Sequence, residues 1–199
     1  DQNILLLMPA SRPQELKYIL PTFMLVARKL QLKYPSLVIY IPSCRKVFDE
    51  RFKKALRKYQ VKGKVISQKE SARLKPYIYS LTKIALCKSG TVNMELALYG
   101  IPQIVGYRVS RVTAFIAKKI LNFKVRFISP VNLLVNKLII PEFVQREFDE
   151  KKIFSKSCRI LEGKSEKIKI KKGYAFLKKE LGEKGVVQRA AKEIINSII

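Results

Sequence analysis

Three small residues in a row, Ser89-Gly90-Thr91, followed one helical turn later by Glu95, form the sharpest chemical constellation in the chain. The apolar run Ile84–Cys87 reads as a strand and Val92–Tyr99 as a helix, so the three lie where a strand gives way to a helix. Amides at a helix start lack intrahelical acceptors, and the helix dipole favours an anion there. Glycine lets a phosphate approach the main chain closely. Glu95, on the same face as Thr91, is placed to accept hydrogen bonds from a ribose diol. Alternatively, Ser89 or Thr91 simply caps the helix. Capping does not explain Glu95, because a capping box would need Ser or Thr at position 92, which is Val92. Two other strand ends carry cations. Pro9-Ala10-Ser11-Arg12 offers either a fixed arginine for a diphosphate leaving group or an ordinary turn with a surface charge. Gly106-Tyr107-Arg108 adds a second arginine and a ring, the ring being either a cleft wall or packing for a neighbour.

The elements that must position these loops follow the rhythm of parallel α/β structure, short apolar runs alternating with longer helical stretches. Strands are expected at Ile4–Met8, Leu37–Ile41, Val65–Ser67, Ile84–Cys87 and Gln103–Gly106. Helices are expected over Gln14–Tyr34 with a bend at Pro21, over Val47–Tyr59, over Leu74–Ser80 and over Val92–Tyr99, the last stopped by Gly100 and Pro102. Beyond β-like Gln103–Gly106 the pattern loosens. Val112–Leu121 reads as a helix, Arg126–Ile128 as a short strand, Ser129–Pro141 as an irregular loop, and Phe143 onward as three helical pieces ending with Val186–Ile199. Lys164–Lys172 reads as a solvated helix edge. Five strands with helices between them make a doubly wound, Rossmann-like sheet, whose ligands bind at the carboxyl ends of the strands.

Composition narrows the chemistry. The 199 residues carry 41 Lys+Arg against 15 Asp+Glu, a net charge of +26, which points to an anionic partner. With no histidine, Ser-His-Asp and Cys-His catalysis and His-containing zinc sites are excluded. Cys44, Cys87 and Cys158 form no Cys-x-x-Cys pair, and so few thiols fit a reducing compartment. The only aspartates, Asp1, Asp49 and Asp149, cannot make an Asp-x-Asp metal clamp for a diphosphate, so any catalysis is expected to lean on carboxylate, Lys/Arg and backbone dipoles, with no metal or cofactor called for. No stretch reaches the roughly 18 to 20 apolar residues of a membrane span. The chain opens almost inside a strand, without an initiator Met or a basic leader, as a piece of something longer would.

Taken in order, Leu-x-Pro-x-Ser-Arg-x-x-Glu (Leu7 to Glu15), Ser89-Gly90-Thr91 with Glu95, Gly100-x-Pro102 with Tyr107-Arg108, and Asn132-Leu133-Leu134 with Pro141-Glu142 and Gln145 resemble one family. It is the carboxyl-terminal half of lipid-A-disaccharide synthase, glycosyltransferase family 19, and the resemblance is densest between Ser89 and Gln145. It implies one half of a glycosyltransferase-B fold: a single nucleotide-sugar-binding domain over residues 1–199, with its core at 3–145 and carboxyl-terminal helices at 146–199. The implied activity is that of an inverting, metal-independent hexosyltransferase. It would move 2,3-diacylglucosamine from UDP-2,3-diacylglucosamine to 2,3-diacylglucosamine 1-phosphate (lipid X) and release UDP in lipid A biosynthesis. Carried over by motif, Arg12 faces the diphosphate, Ser89, Gly90 and Thr91 hold it, and Glu95 takes the ribose. Tyr107, Arg108, Asn132, Glu142 and Gln145 line the donor cleft. The acceptor half, with the catalytic base, would precede Asp1 in the same chain or come from a partner chain. Ala10 stands where the family usually carries glycine, a strain if that position needs positive φ.

Arg111–Phe127 mixes aromatic and basic residues. Phe115, Lys118, Lys119 and Phe123 would either face an anionic membrane surface, placing the protein peripherally on the cytoplasmic side of the inner membrane, or pack on the sheet with the lysines in water. Three other functions compete: a sister UDP-sugar transferase with a different lipid or cell-wall acceptor, a donor-binding half retained without catalysis, and a basic α/β module for nucleic acid. No nucleic-acid-reading signature is present, so nucleic acid is not the expected partner.

Overall fold

The structure, a computed structural model, describes residues 3–10, 12–110, 113, 126–182 and 185–198. Its sheet is built from β1 (Asn3–Met8), β2 (Leu37–Pro42), β3 (Gly63–Ile66), β4 (Thr82–Lys88), β5 (Gln103–Tyr107) and β6 (Glu142–Val144). The order is β3-β2-β1-β4-β5-β6, and every neighbouring pair is parallel. The helices that flank it are α1 (Pro13–Lys33), α2 (Lys46–Lys58), α3 (Gln68–Leu81), α4 (Val92–Leu98), α5 (Pro130–Val135), α6 (Glu150–Glu162), α7 (Lys164–Leu181) and α8 (Val186–Ile198). This is the Rossmann-like architecture expected, a parallel sheet flanked by helices.

Central strands covered on both faces must be apolar throughout, and Ile4 to Leu7 of β1 and Ile84 to Cys87 of β4 are wholly buried. Met8 lies opposite Cys87, and Lys88 opposite Gly106. The loops after β1, β4 and β5 therefore leave one sheet edge side by side. Strand order reverses between β1 and β4, the point at which such sheets open a crevice for ligands. α1 runs through Pro21 without interruption and packs on α6, where Lys29 meets Glu150 and Lys33 meets Glu162, both at 2.7 Å. Hydrogen bonding to Lys33 and Tyr34 holds the Glu162 carboxyl below its usual range.

Several boundaries differ from the sequence reading, each for a local reason. α3 starts at Gln68 rather than Leu74, because Ser67 and Glu70 form a reciprocal capping box. Arg126–Ile128 is not a strand. The sixth strand is Glu142–Val144, where a helix was expected, and it pairs with β5 as Val105 opposite Glu142. Three residues are too few to show a period, so only pairing identifies them. The loop expected over 129–141 contains α5, which opens with Pro130, is capped by Ser129 Oγ accepting from the Asn132 amide, and ends at Asn136 in the left-handed region. Gly100, at φ +74°, closes α4 as its position predicted. No helix among the described residues is long and apolar enough to cross a membrane. The helix read at Val112–Leu121 and the candidates Phe115, Lys118, Lys119 and Phe123 lie outside the described residues.

Candidate functional site

The loop after β4 is held from inside. Asn93, fully buried in the first turn of α4, accepts the Gly90 amide on Oδ1 at 2.8 Å. Its Nδ2 donates to Gln103 Oε1 at 3.1 Å and to the Lys88 carbonyl at 3.2 Å. Gln103 answers through Nε2, donating to the Asn93 carbonyl at 2.9 Å and to the Tyr174 hydroxyl at 3.0 Å. Tyr174, from α7, in turn donates to the Ile101 carbonyl at 2.9 Å. A buried polar network satisfied in this way is rigid. α4 has no side-chain cap: Thr91 is exposed, and Ser89 donates its hydroxyl to the Ile128 carbonyl. Thr91 holds the N-cap position, but neither its hydroxyl nor that of Ser89 caps the helix, and the Gly90 amide is taken by Asn93.

At the end of β1, Arg12 is exposed at the start of α1 in extended conformation, with no side-chain cap bond. Ala10 is absent from the positive-φ positions, so its methyl strains nothing there. Ser11 lies outside the described residues.

Glu95 stands on the wall of a cavity of about 320 Å³ at the carboxyl ends of β1 and β2, with Met8, Ser43, Cys44, Gln68 and Lys75 among its lining. Lys75 Nζ donates to Glu95 Oε1 at 2.6 Å. Tyr79 also lines the cavity; burial first, and then the Glu95 charge, push its phenol above the ordinary tyrosine range. The sequence reading missed Lys75 and Gln68. The Ser67-x-x-Glu70 box, which starts α3 and so carries both residues to the cavity, was the available signal.

The third loop builds a separate cluster. Arg108 donates to the Gln145 carbonyl at 3.1 Å and to the Phe148 carbonyl, and its guanidinium lies 5.2 Å over the Phe148 ring. The Gln145 amide donates to the Tyr107 carbonyl at 2.9 Å, and Gln145 itself is left-handed at φ 52°. Glu142 accepts from the Ile128 amide at 2.7 Å, the Ser129 amide at 3.0 Å and Asn132 Nδ2 at 2.7 Å. Asn132, wholly buried, accepts the Ile139 and Ile140 amides on Oδ1. Arg108, Asn132 and Glu142 thus shape the chain around β6 through protein partners. Ile128 joins the two clusters, its carbonyl receiving Ser89 and its amide reaching Glu142.

Three thiols differ sharply. Cys44 is exposed at the cavity, whereas Cys87 and Cys158 are buried, and burial pushes the Cys87 thiol up to about 12. Alkylation of the native protein at pH 8 is expected to label Cys44 alone, and mass spectrometry after denaturation to find all three labelled.

The sequence model of the lipid-A-disaccharide synthetase family matches residues 1–198. The lipid-A-disaccharide synthase of Prochlorococcus marinus (strain MIT 9313) is 44% identical over 98% of the chain and 50% of its own length. That of Gloeothece citriformis (strain PCC 7424) is 36% identical over the whole chain and 50% of its own length. The chain therefore spans about half the length of the curated relatives it matches. Among solved structures, the catalytic domain of cholesterol-alpha-glucosyltransferase from Helicobacter pylori superposes with a TM-score of 0.57 at 12% identity, covering 91% of this chain and 99% of that one. The UDP-GlcNAc 2-epimerase from Neisseria meningitidis bound to UDP-GlcNAc gives 0.53 at 16%, covering 91% and 44%. Identities this low speak to the fold alone.

Proposed function

The chain belongs to the lipid-A-disaccharide synthetase family, and from that premise we propose that it is the UDP-sugar-binding half of a glycosyltransferase of lipid A biosynthesis. The donor is UDP-2,3-diacylglucosamine and the acceptor is 2,3-diacylglucosamine 1-phosphate. The reaction inverts the anomeric centre and releases UDP, without a metal. In this reading the catalytic base and the acceptor site are supplied from outside this half, by the same or a partner chain. An anionic membrane surface, where acylated substrates reside, is the natural setting for a chain of net charge +26.

The observation that carries this reading is the place of Glu95. Its carboxylate lies at the strands' carboxyl ends, on the wall of a cavity beside the switch point, with one oxygen engaged by Lys75. A ribose diol donating to the carboxylate seats the nucleoside in that cavity. The diphosphate then runs toward the exposed hydroxyl of Thr91 and the exposed guanidinium of Arg12. Arg12 acts as the catalytic cation of this half, because its fixed charge stabilises the negative charge that grows on UDP as the glycosidic bond breaks. In this reading Tyr107 and Gln145, outside the cavity itself, line the donor cleft beyond it, and Arg108, Asn132 and Glu142 hold the chain around β6 in place.

Calorimetric titration with UDP tests the assignment. Glu95→Ala is expected to weaken UDP binding about thirtyfold, the worth of hydrogen bonds to a charged acceptor. Arg12→Ala is expected to weaken it about tenfold, with a shallower salt dependence, since one screened charge contact is lost. UDP should also slow alkylation of Cys44 at the cavity rim. Wild-type affinity in both folded variants would remove these residues from the site.

A further inference from the structure

Glu15 and Lys88, 73 residues apart, form an ion pair that the donor contacts leave unused. Lys88 Nζ donates to both Glu15 oxygens, at 2.8 and 2.9 Å, with the two side chains only 18% and 11% exposed. Surface ion pairs hold little, but a shielded two-pronged pair fixes its partners, because separating them strands a charge away from water. What it fixes is specific. Glu15 sits in the first turn of α1, three residues after Arg12, and Lys88 ends β4 directly before Ser89-Gly90-Thr91. The lysine stem also runs beneath the glycine: a Cβ built on Gly90 would meet Lys88 Cε at 4.0 Å and nothing nearer.

We propose that the Glu15–Lys88 pair is a positioning device for the diphosphate subsite, clamping the start of α1 to the loop after β4 so that Arg12 and Thr91 face one anion. It rests on the donor-binding reading above. Neither residue touches the ligand. The ammonium is engaged by Glu15, so Lys88 acts through the loop it supports.

UDP titrations of wild type, Glu15→Gln, Lys88→Met, Lys88→Arg and the Glu15→Gln/Lys88→Met double variant test this, run below every melting midpoint. Each single truncation is expected to raise the UDP Kd about tenfold, and the double variant no further, because both break one device. Lys88→Arg, whose fork also suits a carboxylate, should stay within about twofold of wild type. Should Glu15→Gln fail to fold, Lys88→Met against Lys88→Arg makes the same comparison. A lowered melting midpoint with unchanged UDP affinity would reduce the pair to a structural contact and overturn the proposal. So would a double variant weakened about a hundredfold, the product of two independent effects. Wild type without saturable UDP binding would instead overturn the donor-binding reading, and the positioning role with it. Wild type that binds alongside equally tight truncations overturns the positioning role alone.

Discussion

Asn93→Ala is expected to lose about 3 kcal/mol of unfolding free energy, the cost of orphaning buried donors and acceptors that water does not reach. At this chain length that is a melting midpoint lower by about 8 °C. The side chain is wholly buried and is the hub between the Gly90 amide, the Lys88 carbonyl and Gln103. Asn93→Asp separates the two halves of the role. It keeps an acceptor for Gly90 but loses the Nδ2 donor, so the β4 loop should stay formed while stability still falls. Denaturant unfolding of both variants checks this, and an Asn93→Ala protein as stable as wild type would show that the loop stands without its hub.

Phe148→Ala carries the larger expected loss, about 4 kcal/mol, in the range for deleting a large ring from a packed core. Phe148 is completely buried, meets Phe23 edge to face at 5.2 Å, and lies under the Arg108 guanidinium. It fills the space left by the missing side chain of Gly106, where a Cβ would stand 2.2 Å from Phe148 Cε2. Gly106→Ala alone is therefore expected to destabilise by about 2 kcal/mol through overpacking. In the Phe148→Ala background the two nearest clashes are gone and only Phe23 Cζ, 2.8 Å from the added Cβ, still has to give, so the same methyl should cost clearly less, a coupling that a double-mutant cycle reads directly. Equal effects of Gly106→Ala in both backgrounds would contradict this packing.

The sequence carried the sheet's centre with little ambiguity. Ile4–Met8 and Ile84–Cys87 are unbroken apolar runs, which only strands buried on both faces require, and the loops that follow them were legible as ligand-facing for that reason. Gly100 and Pro102 marked the end of α4 by their own backbone limits. The edge was not legible. Glu142–Val144 is a strand only because β5 lies beside it, and Pro130–Val135 is a helix whose cap, Ser129, also serves Glu142. Such short elements draw their stability from pairing and side-chain bonds over distance, and local periodicity cannot report those.

The candidate site divides along the same line. Residue type and spacing offered Ser89, Gly90, Thr91 and Glu95 for anion and diol chemistry and Arg12 for a diphosphate, with helix capping and a surface charge as the alternatives, and only the family resemblance of the ordered set chose between them. Which polar atoms are already engaged was decided only by the tertiary structure. Asn93 takes the Gly90 amide, Lys75 takes one oxygen of Glu95, Glu15 takes Lys88, and Asn132 and Glu142 turn inward to hold the chain around β6. Hydrogen-bond partners are chosen by proximity in space, and sequence separation, 73 residues for Glu15 and Lys88, gives no measure of that.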